Sequence, residues 1–293
     1  MNLLITGANG MLGRSVQKTA RLKYKNYNLF TTDVKNLDIT DAAQLQSFFE
    51  QNKINCIINC AAYTNVDACE KNEETAYKIN ADGAANLAVM SEKYKCRIIH
   101  ISTDYVYNSD SLEPLAEDAE LDPVSVYGKS KLAGERKVME ISKEHFIIRA
   151  SWMFGYYGEN FMGWVLTSAK NKTPLKLITD NYGSPTYSIR LAEVIFEVLK
   201  TEKFGIYNFC NSGYTNWYEF GKFIIDNSGF KNEIIPITAA ELKRPAQRPR
   251  FSAMKTDKIQ NALNFQIPDW RADAQICIKK LNNSLYSKAA FNE

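Results

Sequence analysis

Apolar residues along this chain follow two rhythms that alternate through its first half. Short, nearly unbroken apolar runs stand at residues 2–6, 28–33, 54–62, 96–102 and 146–150. Between them, apolar positions recur at helical spacing, at 11–22, 42–51, 77–92 and from 127 onward. A run such as INCIINCAA at 54–62 is what a parallel strand covered on both faces requires. Strand and helix in strict alternation predict a right-handed parallel sheet with helices on its faces. The run at 96–102 counts in this reading as the fifth strand and that at 146–150 as the sixth.

After about residue 150 the rhythm changes. Residues 160–171 read as helix, 175–178 as extended and 179–186 as turn-rich. Leu191, Val194, Ile195, Val198 and Leu199 then form a clear stripe at helical period. A strand at 205–210 and a helix at 217–227 follow, and the tail alternates proline-containing loops with short helices. The expected class is α/β: a Rossmann-type doubly wound parallel sheet with a smaller mixed α/β C-terminal substrate domain. The first domain spans 1–150 and is rejoined by parts of 186–211; the second takes 151–185 and 212–293. The smaller domain is expected to close over the open edge of the sheet and to select the substrate.

Composition narrows the class without naming a function. At 45% hydrophobic and 24% charged residues the chain is an ordinary globular protein. A net charge of +3 supports neither nucleic-acid nor membrane-surface binding. Six cysteines without C-x-x-C spacing, several inside apolar runs, read as free buried thiols. With only two histidines, no metal site is expected. The N-terminus enters a strand at once and no apolar stretch reaches membrane-spanning length, so a cytoplasmic protein is expected.

The candidate chemistry begins at residues 7–13, GANGMLG, between a strand and a helix. Glycines there let the backbone, through Asn9, Gly10, Met11, Leu12 and Gly13 as well as Gly7, approach a pyrophosphate at the helix start. The next strand ends in Asp33, at the offset where an acid meets adenosine ribose hydroxyls. A carboxylate there repels a 2′-phosphate and favours NADH, while nearby Lys35 pulls the other way. Ala61 and Ala62 close the third apolar run, and small residues there let the chain pass beside a cofactor. Thr103 and Asp104 leave the carboxyl end of another strand, the edge where doubly wound sheets bind ligands. Tyr127 and Lys131 fall on one helical face, where an ammonium lowers a phenol's pKa and makes it a better general acid. Taken alone, the pair also describes an ordinary exposed helix.

In this order the motifs are specific: GANGMLG, NCAAYTNVDACE at 59–70, STDYVY at 102–107, YGKSK at 127–131, RASW at 149–152, Asn160-Phe161, DNYGSPT at 180–186 and Trp217. The chain resembles the extended short-chain dehydrogenase/reductases and, more narrowly, the dTDP-4-dehydrorhamnose reductase family, over nearly its whole length. The resemblance implies reduction of a nucleotide-linked 4-keto sugar, with NADH or NADPH as cofactor. It makes Tyr127 the proton donor to O4, Lys131 the group that holds the nicotinamide ribose and tunes the tyrosine, and Thr103 a donor to the same oxygen. Asp38, Ile39 and Tyr63 join the cofactor set. Val66, Asp104, Trp152, Asn160 and Phe161 shape the substrate pocket, although Trp152 and Phe161 could equally be core packing.

Some positions depart from the family pattern: Met11 and Asn181 stand where Gln is common, and the late R-P-x-x-S-x-L-D element reads RPRFSAMK at 248–255. Arg14-Ser15 replaces the early acid through which some members hold a bridging metal, which leaves open whether the chain is a homodimer. Two other readings remain. A dehydratase needs Thr-Asp-Glu where this chain has Thr103-Asp104-Tyr105, and an epimerase would keep its NAD tightly bound. A non-catalytic regulatory subunit, like that of methionine adenosyltransferase, also resembles these reductases.

Overall fold

A computed structural model describes residues 1–109 and 112–286; residues 287–293 of the expected substrate domain lie outside it. Five strands and the helices that connect them build the larger lobe: β1 (Asn2–Thr6), α1 (Met11–Lys23), β2 (Asn28–Thr31), α2 (Ala42–Gln51), β3 (Cys56–Asn59), α3 (Val66–Lys71), α4 (Gly83–Lys93), β4 (Arg97–Thr103), α5 (Val126–Ile141) and β5 (His145–Ala150). The chain then leaves through α6 (Phe161–Lys170) and β6 (Leu175–Ile178), and returns as α7 (Ser188–Val198) and β7 (Gly205–Phe209). Six parallel strands pair in the order β7-β5-β4-β3-β1-β2.

Alternation within each strand explains why this sheet is buried on both sides. Leu3, Ile5, Cys56 and Ile58 face one core, packed with Val16 of α1 and Leu191 and Ile195 of α7. Leu4 and Ile57 face the other, packed with Leu45 and Phe49 of α2 and Leu87 of α4. The smaller lobe has its own core around Phe154, Leu166, Phe220 and Trp270. It contains α8 (Trp217–Ser228) and β8 (Ile234–Ile237), which pairs with β6, and ends in α9 (Trp270–Tyr286).

Several boundaries differ from the sequence expectation. The strand carrying Thr103 is the fourth in chain order and His145–Ala150 the fifth; the sixth strand of the sheet comes from beyond the excursion, at Gly205–Phe209. Between β3 and β4 the chain is helical, so nothing there supplies an additional strand. The run at 54–62 pairs only over Cys56–Asn59, because the Asn59 amide turns to accept from Thr6 and from the Ala61 N–H. The expected helix over 77–92 contains a π turn at Lys78–Asp82, a distortion frequent near functional sites. The tail holds a long helix, α9, as well as short ones.

Candidate active site

The carboxyl ends of β1, β3, β4 and β5 open onto one cleft of about 930 Å³. On its first wall the glycine turn is shaped by contact. A Cβ on Gly13 would lie 2.4 Å from the Gly7 carbonyl oxygen, so only glycine lets α1 start this close to the strand. Gly10 caps α1 without a side-chain bond, which leaves the first-turn N–H groups for a ligand. Asp33 accepts from the Asn9 N–H at 3.2 Å and the Val34 N–H at 2.8 Å. Asp38 holds its own turn by accepting from Thr40, and Ile39 is buried beside it. Gly7, Gly10, Met11, Leu12, Gly13 and Asp33 all line the cleft, as do Asp38, Ile39, Ala61, Ala62 and Tyr63. Asn9 is exposed and off the wall, contributing its backbone to Asp33.

The second wall joins β4 to α5. Ser125 caps α5 through the Gly128 N–H at 3.1 Å. A Cβ on Gly128 would meet the Tyr105 carbonyl at 2.3 Å, so this glycine permits α5 to press Tyr127 against the turn that follows Thr103. The Tyr105 and Tyr127 rings meet edge to face at 5.5 Å. Asn80, from the π turn, accepts from the Tyr63 N–H at 2.7 Å and donates to Ser130 at 3.0 Å, tying the loop after β3 to α5.

Burial dominates the titration of this wall. It pushes the Tyr127 phenol above its ordinary range; a hydrogen bond with Thr103 opposes the rise and the charge of Asp104 adds to it. The expectation that Lys131 tunes the phenol downward is not met. Lys131 is buried behind the wall and spends its ammonium on the Ile101 carbonyl at 2.7 Å. Burial also draws the lysine itself down to about 8, against the pull of Glu135. Tyr127 is a neutral phenol at pH 7, as an unshifted tyrosine also is, and its burial makes it a weaker acid. Asp104 is buried at the edge of the cleft, accepts from Thr103 at 3.2 Å and from Ser252 at 2.6 Å, and is raised to about 7 by burial against those two bonds.

The third wall comes from the smaller lobe. Trp152 stacks on Trp217 with ring centroids 3.6 Å apart and planes 9° from parallel, and both line the cleft. Trp152 holds φ at 42°, a costly region for a side chain; its stack and a Thr186 N–H bond to its carbonyl hold it there. Val66, Thr103 and Asp104 are on the cleft surface, but Asn160 and Phe161 are not. Asn160 caps α6 through Gly163 and donates to the Gly155 and Gly158 carbonyls. Phe161 packs behind Trp217 at 4.6 Å. They support the wall from behind.

Sequence reasoning gave no role to Trp217, Ser252 or Arg248, nor to Lys78 and Glu159, which also line the cleft. The departures at 248–255 do not loosen that segment. Arg248 forms a two-pronged ion pair with Asp67 at 2.8 and 3.0 Å, and holds its carboxyl below the usual range. Asn181 donates to the Pro249 carbonyl at 2.7 Å. Ser15 is buried against Ser188, between α1 and α7. Among the described residues no group of His, Cys, Asp and Glu could hold a metal ion.

A family model described as the RmlD substrate binding domain matches residues 1–283. A dTDP-4-dehydrorhamnose reductase of Aggregatibacter actinomycetemcomitans is 38% identical over 281 residues, covering 92% of this chain and 95% of that protein. The structure of a dTDP-4-dehydrorhamnose reductase from Clostridium acetobutylicum superposes with a TM-score of 0.91 at 38% identity, covering 96% of this chain and 99% of the other. That of a dTDP-4-dehydrorhamnose reductase from Bacillus anthracis, in complex with NADP, gives 0.92 at 35%, covering 95% and 99%.

Proposed function

The chain belongs to the RmlD substrate binding domain family, which includes the dTDP-4-dehydrorhamnose reductases, and from that premise we propose that it reduces the 4-keto group of dTDP-4-dehydro-L-rhamnose to give dTDP-L-rhamnose. The observation that carries the reading is the meeting of Thr103 and Tyr127 on the cleft that the glycine turn opens into. The close-packed turn and the uncapped start of α1 fit a dinucleotide. NADH or NADPH, when bound there, supplies a hydride to C4. Gly7, residues 10–13, Asp33, Asp38, Ile39 and 61–63 would hold the cofactor, with Asn9 holding Asp33 through its N–H, and Lys131 would reach its ribose with the ammonium protons that the Ile101 carbonyl leaves free.

The chain's own part is proton and charge management. Tyr127, a neutral phenol, gives its proton to O4 as negative charge develops there. Thr103 donates to the same oxygen and stabilises that charge. Trp152 offers an aromatic face to the sugar nucleotide, fixed by the stack with Trp217. The same reading places the enzyme in the cytoplasm and admits a homodimer, which light scattering on the eluting protein would count. No helix among the described residues is long and apolar enough to cross a membrane.

The test is loss of reduced-nicotinamide absorbance with dTDP- and UDP-linked 4-keto sugars, run with NADH and with NADPH. Turnover of the dTDP sugar supports the reading; a folded protein that leaves the absorbance unchanged with every sugar overturns it.

A further inference from the structure

Ser252 lies in the segment that returns from the smaller lobe, 148 positions from Asp104, yet its hydroxyl donates to Asp104 Oδ2 at 2.6 Å. It is 3% exposed, and its N–H is bonded to the Tyr182 carbonyl at 2.9 Å. The segment around it is pinned by Arg248 on Asp67 and by the Leu115 N–H on the Ala253 carbonyl. Its position is therefore built into the fold.

A proton count gives this contact a consequence. Thr103 has one hydroxyl proton; while it goes to Asp104 Oδ1 it can go neither to the Tyr127 phenolate, which it also stabilises, nor to a substrate oxygen, and its own oxygen accepts from the Tyr105 N–H at 3.2 Å. A threonine held in this way has no proton left for a substrate oxygen. When Asp104 carries a proton on Oδ1, that bond reverses, and the Thr103 proton is free to point into the cleft. Both carboxyl oxygens face a hydroxyl, but the Ser252 bond to Oδ2 is the shorter, 2.6 Å against 3.2 Å for Thr103 on Oδ1, so Oδ2 stays the acceptor and the proton falls to Oδ1.

We infer that Ser252 is a positioning residue for the reduction: by donating to Asp104 Oδ2 it directs the carboxyl proton to Oδ1 and turns the Thr103 hydroxyl toward the substrate carbonyl. The inference rests on the reductase reading above. Asp104 is held at about 7, where both protonation states are populated near neutrality. The titratable groups that sense its charge are Tyr105 and Tyr127 on its own wall and Cys210 beyond β7.

The experiment combines a ¹³C-carboxyl NMR titration of aspartate-labelled protein with the pH profile of kcat, on wild type, Ser252→Ala, Ser252→Thr, Asp104→Asn and the double variant Ser252→Ala/Asp104→Asn. The Asp104 resonance is the one missing from Asp104→Asn. Because the serine's bond lowers the Asp104 pKa, Ser252→Ala should move that titration upward by about half a pH unit or more. The kcat profile should shift with it, with kcat down about tenfold and KM within about twofold. Ser252→Thr, which keeps a hydroxyl, should return both toward wild type, and the alanine change should cost less than about twofold in the Asp104→Asn background. An unmoved Asp104 titration in Ser252→Ala, or an equal loss of kcat in both backgrounds, overturns the inference. Should the alanine variant not fold, Ser252→Cys, a weaker donor, is read by the same two criteria. Absence of wild-type turnover would instead sink the reductase reading, and the NMR titration would still report on Ser252.

Discussion

The first and third walls of the cleft do comparable work by opposite means. The cofactor wall is backbone: a glycine turn, the free N–H groups of α1 and small residues after β3, with Asp33 as its principal charged group. Its parts are close in sequence or one strand apart. The substrate wall is side chain: the Trp152–Trp217 stack, Phe161 behind it, and Ser252 reaching back to Asp104. Its partners are brought together only by the return of the chain from the smaller lobe. A backbone site tolerates little change in residue size, whereas a side-chain site tolerates change at the cost of specificity.

Four substitutions or titrations sharpen this contrast. The largest effect belongs to the wall between the two. Tyr127→Phe should cut kcat by about 10²–10⁴-fold while NADPH binding, followed by nicotinamide fluorescence, stays within about twofold; equal losses of both would place Tyr127 in cofactor binding instead. Next, Gly13→Ala puts a methyl 2.4 Å from a carbonyl oxygen, and should weaken NADPH binding at least about tenfold with a stability loss of about 1–3 kcal/mol. Unchanged affinity would break the account of a backbone-built wall. Trp217→Leu removes the partner of Trp152 and should raise KM for the sugar nucleotide about three- to tenfold, from an aromatic pair worth about 0.5–1.5 kcal/mol. Cofactor affinity should not move; if it does, the two walls are not separable.

The fourth test is a pH dependence of stability. Asp104 has a folded pKa of about 7, raised from 3.8, so the fold favours its protonated form. That contribution is fully present below the unfolded pKa and is lost as pH rises through about 7. Lys131, drawn down to about 8, acts in the opposite sense: the cost of burying its charge appears as pH falls through that value. Thermal melting from pH 5 to 9 should therefore show a fall between pH 5 and about 7 that Asp104→Asn removes and no further fall above it, and a melting temperature flat from pH 5 to 7 in wild type would refute the burial argument.

How much of this was legible in the sequence follows from the range of each interaction. The glycine turn could be read directly, because the need for backbone at a phosphate and the start of a helix are both settled within seven residues. The sheet could be read from runs buried on both faces, although the count of strands before Thr103 was one too high. Tyr127 and Lys131 were found by helical spacing, but spacing says nothing about what an ammonium points at, and the Ile101 carbonyl proved to be its partner. Asn160 and Phe161 carried a family signal that did not distinguish lining the pocket from supporting it.

What the sequence alone determined is therefore the set of local devices: a phosphate-sized turn, an alternating parallel sheet and a tyrosine–lysine helix face. Their physics is short-ranged and repeats with the period of the backbone. What only the tertiary structure decided is the environment of each device: which groups are buried, that burial pushes the Tyr127 phenol up, and that Asp104 meets Ser252. Desolvation and long-range pairing depend on every element that packs around a group, and no stretch of sequence contains that information.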